Sequence, residues 1–100
     1  MTRHGIRVPE EKLAEFCRRW KVRKLSFFGS FLREDFGPES DIDVLVYFEP
    51  GWTPGLRIIT MERELSEVLG GRKVELATED ALYRRIRKRV LSEAEAVYVA

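Results

Sequence analysis

The segment Ile42 to Phe48 limits the fold more than any other: six of its seven residues are apolar or aromatic, and the exception is Asp43. Side chains alternate across a strand, so a nearly unbroken apolar run presents two faces that must both leave water. This predicts a central β-strand over 42–48 with helices packed against it. The flanking sequence supplies them. From Pro9, the residues Leu13, Phe16, Cys17 and Trp20 recur at the spacing of one helix face and predict a helix over 9–20. Lys24 to Phe28 reads as a strand that stops at Gly29-Ser30, where Ser30 suits the cap of a short helical turn closed by Gly37-Pro38. Glu49 to Gly55 holds two Pro and two Gly and is a loop. Ile58, Met61, Leu65, Val68 and Leu69 mark a second long helix, ended by Gly70-Gly71. Val74 to Ala77 is a third strand, and Thr78, followed by Glu79 and Asp80, opens a last helix whose buried stripe is Leu82, Ile86 and Val90. Val97 to Val99 can add a short terminal strand. The predicted architecture is α/β (α+β): one small mixed sheet of three to four strands with helices packed against it, in a single domain spanning residues 1–100.

With 100 residues, 44% apolar and 35% charged, the chain has material for one core and too little length for two. Eighteen Lys and Arg against seventeen Asp and Glu leave a formal charge of +1, so no overall field draws it to nucleic acid or to a membrane. No apolar stretch approaches the ~18 residues that span a bilayer, and Met1 to Glu10 lacks the apolar centre of a secretory signal. The cytoplasm is the expected location. Cys17 has no second Cys for a disulfide or a zinc site, and its neighbours mark it as a core thiol. Asn and Gln are absent and thirteen of the eighteen basic residues are Arg, which fits a thermophilic or GC-rich source.

The chemistry concentrates in Gly29 to Asp43. Asp41 and Asp43 are two apart at the entrance of the central strand, so the period-2 geometry points both carboxylates to one side. Their repulsion raises at least one proton affinity unless a cation intervenes, and hard oxygen ligands suit Mg²⁺ or Mn²⁺. Mg²⁺ commonly takes one or two carboxylates and completes its shell with water and substrate phosphate oxygens. A phosphate site is therefore expected nearby. Gly29-Ser30 supplies one, because Gly lets the backbone approach a ligand, Ser offers a hydroxyl, and free N–H groups can face an anion. Arg33 adds a charge-assisted contact one turn on, and Ser40, just before the acidic pair, joins the candidate nucleotide-binding set.

Gly29-Ser30, ten residues, then Asp41-Ile42-Asp43 resembles the signature of the minimal nucleotidyltransferases of the DNA polymerase β superfamily, over nearly the whole chain. The resemblance implies a polymerase β-like nucleotidyltransferase fold and transfer of a nucleoside monophosphate from a nucleoside triphosphate, with ATP the expected donor, to an acceptor hydroxyl. It implies that Asp41 and Asp43 hold metal, that Gly29 and Ser30 hold the triphosphate, and that a third carboxylate on an adjacent strand helps activate the attacking oxygen. Glu75 occupies that third position as a metal and catalytic residue. The family usually has Asp there, and the extra methylene of Glu moves the oxygens by about 1 Å. In length the chain resembles members that act as the antitoxin of a HEPN/MNT toxin–antitoxin pair, some of which adenylylate a Tyr of the toxin. A HEPN-type toxin is then the expected partner and protein acceptor, in a homo- or hetero-oligomer.

Two other readings stand beside this one. The chain is a non-catalytic antitoxin or nucleotide-binding module that neutralises its partner by stable association, or a nucleic-acid binder using the basic run Arg84, Arg85, Arg87, Lys88 and Arg89. Direct nucleic-acid binding and membrane binding are not expected, since a solvated helix face explains that run and the second cluster of Arg18, Arg19, Lys21, Arg23 and Lys24. Trp52 either stacks on a base or meets a partner, or folds back over the core. His4 reads as part of a mobile tail.

Overall fold

The structure, a computed structural model, describes residues 2–82 and 84–100, but not the side chains of residues 84 and 85. The first element is one the sequence does not announce. β1 (Thr2–Arg3) and β2 (Ile6–Arg7) form a small antiparallel hairpin around His4 and Gly5. Both turn residues have positive φ, 53° and 75°, as a tight two-residue hairpin requires. The predicted mobile tail is thus corrected: Ile6 and Val8 are buried in the core, and the His4 ring stacks on Phe36 with centroids 4.7 Å apart.

Helix α1 (Glu10–Arg19) starts after Pro9, whose carbonyl accepts the Leu13 N–H at 2.9 Å. Acids in its first turn and Arg18 and Arg19 in its last complement the helix dipole. Lys21, at φ 55°, turns the chain into β3 (Val22–Phe28), which begins two residues before the predicted strand. A 3-10 turn, Gly29–Leu32, follows. Strand β4 (Ile42–Phe48) and strand β5 (Val74–Ala77) keep their predicted limits, and α2 (Ile58–Val68) joins them.

The last predicted helix is broken. A 3-10 turn, Glu79–Ala81, ends in extended backbone at Leu82, and α3 (Arg84–Glu93) begins beyond it. The interruption drops Leu82 into a buried position (8% exposed), whereas Ile86, expected in the buried stripe, is 41% exposed and Val90 is half-buried. The terminal strand β6 (Glu95–Val99) is longer than expected and pairs along β3. Arg84 and Arg85 of the basic run have side chains outside the described residues.

The main sheet has the order β5-β4-β3-β6, antiparallel except for the β4–β5 pair, which α2 connects as a crossover. The predicted mixed sheet is therefore four-stranded, and β4 is internal. Ile42, Val44 and Val46 join Leu13, Phe16 and Cys17 of α1 and Met61 and Leu65 of α2 in one apolar cluster. On the opposite face Leu45 and Ser26 are also buried, so both sides of β4 leave water, as its composition demands. Glu62 of α2 blunts one sheet edge, because its Oε2 accepts the outward N–H of Leu76 at 2.8 Å.

Cys17 is fully buried, and burial pushes its thiol up to about 12, which makes it an inert core group. Trp52 folds back on Phe48, ring centroids 5.4 Å apart, with Lys21 Nζ 5.8 Å from its centroid. Trp20 donates its indole N–H to Glu64 Oε1 at 3.2 Å. No helix among the described residues is long and apolar enough to cross a membrane.

Phe16 has no exposed surface and sits between α1 and the sheet. Phe16→Ala is expected to lower unfolding free energy by about 3–5 kcal/mol through lost burial and a residual cavity, measured by urea denaturation.

Candidate active site

Strand pairing assembles the site. Antiparallel register puts Phe28, the last residue of β3, opposite Asp43, and parallel register puts Asp43 opposite Glu75. The three lie side by side across three strands, and the chain leaves β3 through Gly29 at the same end. Gly29 has φ 69°, and a Cβ built there would run into Asp43 Oδ2 and stand 3.3 Å from its Cγ. Only a residue without a side chain lets the turn backbone approach the carboxylate so closely.

The 3-10 turn makes no side-chain cap hydrogen bond, so Ser30 does not cap it as predicted. Its one internal bond of note runs from Arg33 N to Ser30 O at 2.9 Å. Arg33 is exposed and pairs with Asp35 at 3.4 Å, yet it also acts on Asp43.

Burial first, then the charges of Glu75 and Asp41, pushes the Asp43 carboxyl up to about 6, against a smaller opposing effect of Arg33. Two negative groups thus act on Asp43 at the start of β4. Asp41 also meets a cation that sequence reading missed, Lys73, whose Nζ stands 3.8 Å from Asp41 Oδ2. Lys73 is 80% exposed, so this contact is long and solvent-screened.

Glu75 lies exposed beside half-buried Asp43. Among the described residues no three His, Cys, Asp or Glu side chains converge closely enough to hold a metal by themselves. The donor set nevertheless suits Mg²⁺, which accepts one or two carboxylates and takes its remaining oxygens from water and substrate, and which relieves the repulsion that raises Asp43.

Ser40 belongs to a braced turn. Its Oγ accepts the Gly37 N–H at 3.0 Å, and Arg72 donates to the carbonyls of Gly37 and Ser40 at 2.8 and 2.7 Å while lying over the Phe36 ring. Arg72 was not legible as a site residue: its role depends on a turn more than thirty residues away. The brace fixes the entry of Asp41 into the strand, and Ile42 N donates to Lys73 O at 2.9 Å to register β4 with the start of β5.

A cavity of about 210 Å³ opens on the acidic face, walled by Asp43 and Glu75 on one side and by Phe28, Ala77, Ala81, Leu82 and Ile86 on the other. It joins a polar reaction end to an apolar wall. A larger groove, of about 480 Å³, lies between the hairpin and the α1 and α2 ends. Its Arg72 is already committed to two carbonyls, so volume does not select the site; the neighbouring carboxylates of Asp43 and Glu75 do.

Gly29→Ala is expected to destabilise the fold by about 1–2 kcal/mol from the left-handed backbone alone, and by more where the methyl displaces Asp43, measured by urea denaturation. In metal-free buffer, the folded protein keeps the Asp43 proton up to about pH 6, whereas the unfolded chain releases it near 3.8. Between these values the folded state binds more protons, so this group makes stability fall as pH rises through the window. Asp43→Asn is expected to match the wild type near pH 3.8 and to be the more stable protein above pH 6, as urea midpoints across pH will report.

Comparison with known proteins identifies the family. The family of the nucleotidyltransferase domain matches residues 10–97. The protein adenylyltransferase MntA of Thermococcus cleftensis is 38% identical over 85 residues, which are 85% of this chain and 82% of the relative. A solved toxin–antitoxin structure with AMP-PNP has a TM-score of 0.69 at 19% identity and covers 91% of this chain and 73% of its own. The tri-AMPylated Shewanella oneidensis HEPN toxin in complex with MNT antitoxin gives 0.62 at 18% identity, over 91% and 70%. At such identities the two structures show a shared fold. With the family match spanning all of the main sheet except its last residues, and the Gly-Ser turn seated against Asp43, this chain belongs to the nucleotidyltransferase domain family.

Proposed function

We propose that this protein transfers a nucleoside monophosphate, AMP from ATP, to a hydroxyl of a partner protein, and that it acts as the antitoxin of a HEPN/MNT pair. The observation that carries the proposal is the contact of the Gly29 backbone with Asp43, which brings a Gly-Ser turn and an acidic pair into one site. The named activity of the Thermococcus relative, and the HEPN toxin that accompanies the structural neighbour, support the acceptor and the partner.

In this reading Gly29, Ser30 and Arg33 hold the triphosphate. Ser40, whose oxygen already accepts from Gly37, keeps a hydroxyl proton to donate. Asp41 and Asp43, with Glu75 beside them, would hold Mg²⁺, which when bound neutralises charge on the carboxylates and phosphates. The acceptor oxygen bonds to the α-phosphorus, the bond to the bridging oxygen breaks, and pyrophosphate leaves with the electron pair. Glu75, exposed at the cavity and next to Asp43, is the candidate to take the hydroxyl proton. The low net charge favours a protein acceptor over a polymer of nucleotides.

Glu75, at a position where the resemblance implies Asp, favours a second reading, a stable inhibitor with a weak nucleotide site. One assay separates them. Incubated with α-labelled ATP, Mg²⁺ and a co-expressed HEPN-type partner, the wild type is expected to label the partner and to protect against it at substoichiometric amounts. Asp41→Asn and Asp43→Asn are each expected to reduce labelling at least about 100-fold, the scale of losing a group that acts in the transition state. Protection by both variants at equal stoichiometry, without any mass increment on the partner, would establish the inhibitor reading instead.

A further inference from the structure

The N-terminal hairpin makes a set of contacts that the proposed chemistry leaves unused. His4 Nε2 lies 2.9 Å from the carbonyl of Phe31. A carbonyl can only accept, so His4 carries its proton on Nε2 and donates it. The same ring stacks on Phe36 at 4.7 Å and tilts against Phe31 at 5.6 Å. Arg3 donates through Nη2 to the carbonyl of Leu32 at 3.3 Å and through Nη1 to Glu95 Oε2 at 3.0 Å. Phe31 and Leu32 are the last two residues of the turn that begins with Gly29-Ser30. One hairpin therefore secures the far end of that turn, the loop behind it through Phe36, and the start of β6.

The turn needs an outside support. It is four residues long, makes no side-chain cap hydrogen bond, and opens into a long irregular connection before β4. Phe31 anchors it from beneath, fully buried against Phe27 at a ring distance of 4.7 Å. That contact fixes the inner side chain, and the hairpin engages the carbonyls of Phe31 and Leu32.

We propose that the hairpin is a strap that holds the Gly29-Ser30 turn in its nucleotide-binding shape, with His4 as the positioning residue and Arg3 as its second anchor. The proposal deepens the nucleotide reading above and rests on it. A turn already ordered does not lose freedom when phosphate binds, so the strap raises affinity without touching the ligand.

The test is calorimetric titration of the full chain with Mg²⁺ and AMP-PNP. The wild type is expected to bind and Ser30→Ala to bind more weakly, which tests the nucleotide reading. His4→Ala is expected to weaken binding by about 3- to 10-fold, the scale of re-ordering a few groups on binding. His4→Gln, whose side-chain N–H can reach the Phe31 carbonyl, is expected to recover affinity to within about twofold of the wild type. Trp20→Phe, which removes the Glu64 hydrogen bond at the other end of β3, lowers thermal stability and leaves affinity unchanged. Wild-type affinity in His4→Ala, or equal weakening in Trp20→Phe, overturns the strap and leaves the nucleotide reading standing. No binding of AMP-PNP by the wild type overturns both.

Discussion

The pairing of β3 with β4 is the constraint on which the rest of the molecule depends. It sets Phe28 opposite Asp43, and the next residue, Gly29, must then bend away with positive φ directly over that carboxylate. Slip the register by one residue and Asp43 turns into the apolar cluster while Val44 takes its place on the acidic face. The same strand pair that buries Phe27 against Val44 in the core thus presents the chemistry on the other side. Stability and site geometry share one set of hydrogen bonds.

The acidic face carries an electrostatic load that the core supports. Asp43 is half-buried, next to Glu75 of the neighbouring strand and two residues from Asp41, and its raised proton affinity records both burial and repulsion. A fold with no use for this arrangement would gain by replacing one of the acids. A bound cation would offset that repulsion and favour the charged carboxylate. The partners of Asp41 work at the margin: Lys73 is long-range and exposed, whereas Arg72 braces the preceding turn through carbonyls and leaves the carboxylates alone.

Much of this was legible in the residues. The run from Ile42 to Phe48 demanded an internal strand, and the spacing of Leu13, Phe16 and Cys17 demanded a helix against it; both sit where their periodicity puts them. Local punctuation also worked at Gly70-Gly71, which end α2 with two positive φ values. The departures share one physical cause. The N-terminal hairpin has only two residues per strand, too few for any period to show, and is held by contacts to Phe31 and Phe36 far along the chain. The last helix carries a continuous apolar stripe, yet it breaks before α3, where Leu82 is extended and buried.

By itself the sequence determined which groups exist and in what order: a Gly-Ser pair, two acids with strand spacing, a third acid on a later strand, and enough apolar surface for one core. Such information is local, carried by composition and by periods of two and of about 3.6 residues. The tertiary structure alone decided the strand order, the register that sets Glu75 directly beside Asp43, and that His4 reaches back to hold the turn. These are long-range choices, made when the sheet closes and many marginal contacts are satisfied together, and no short window of residues contains them.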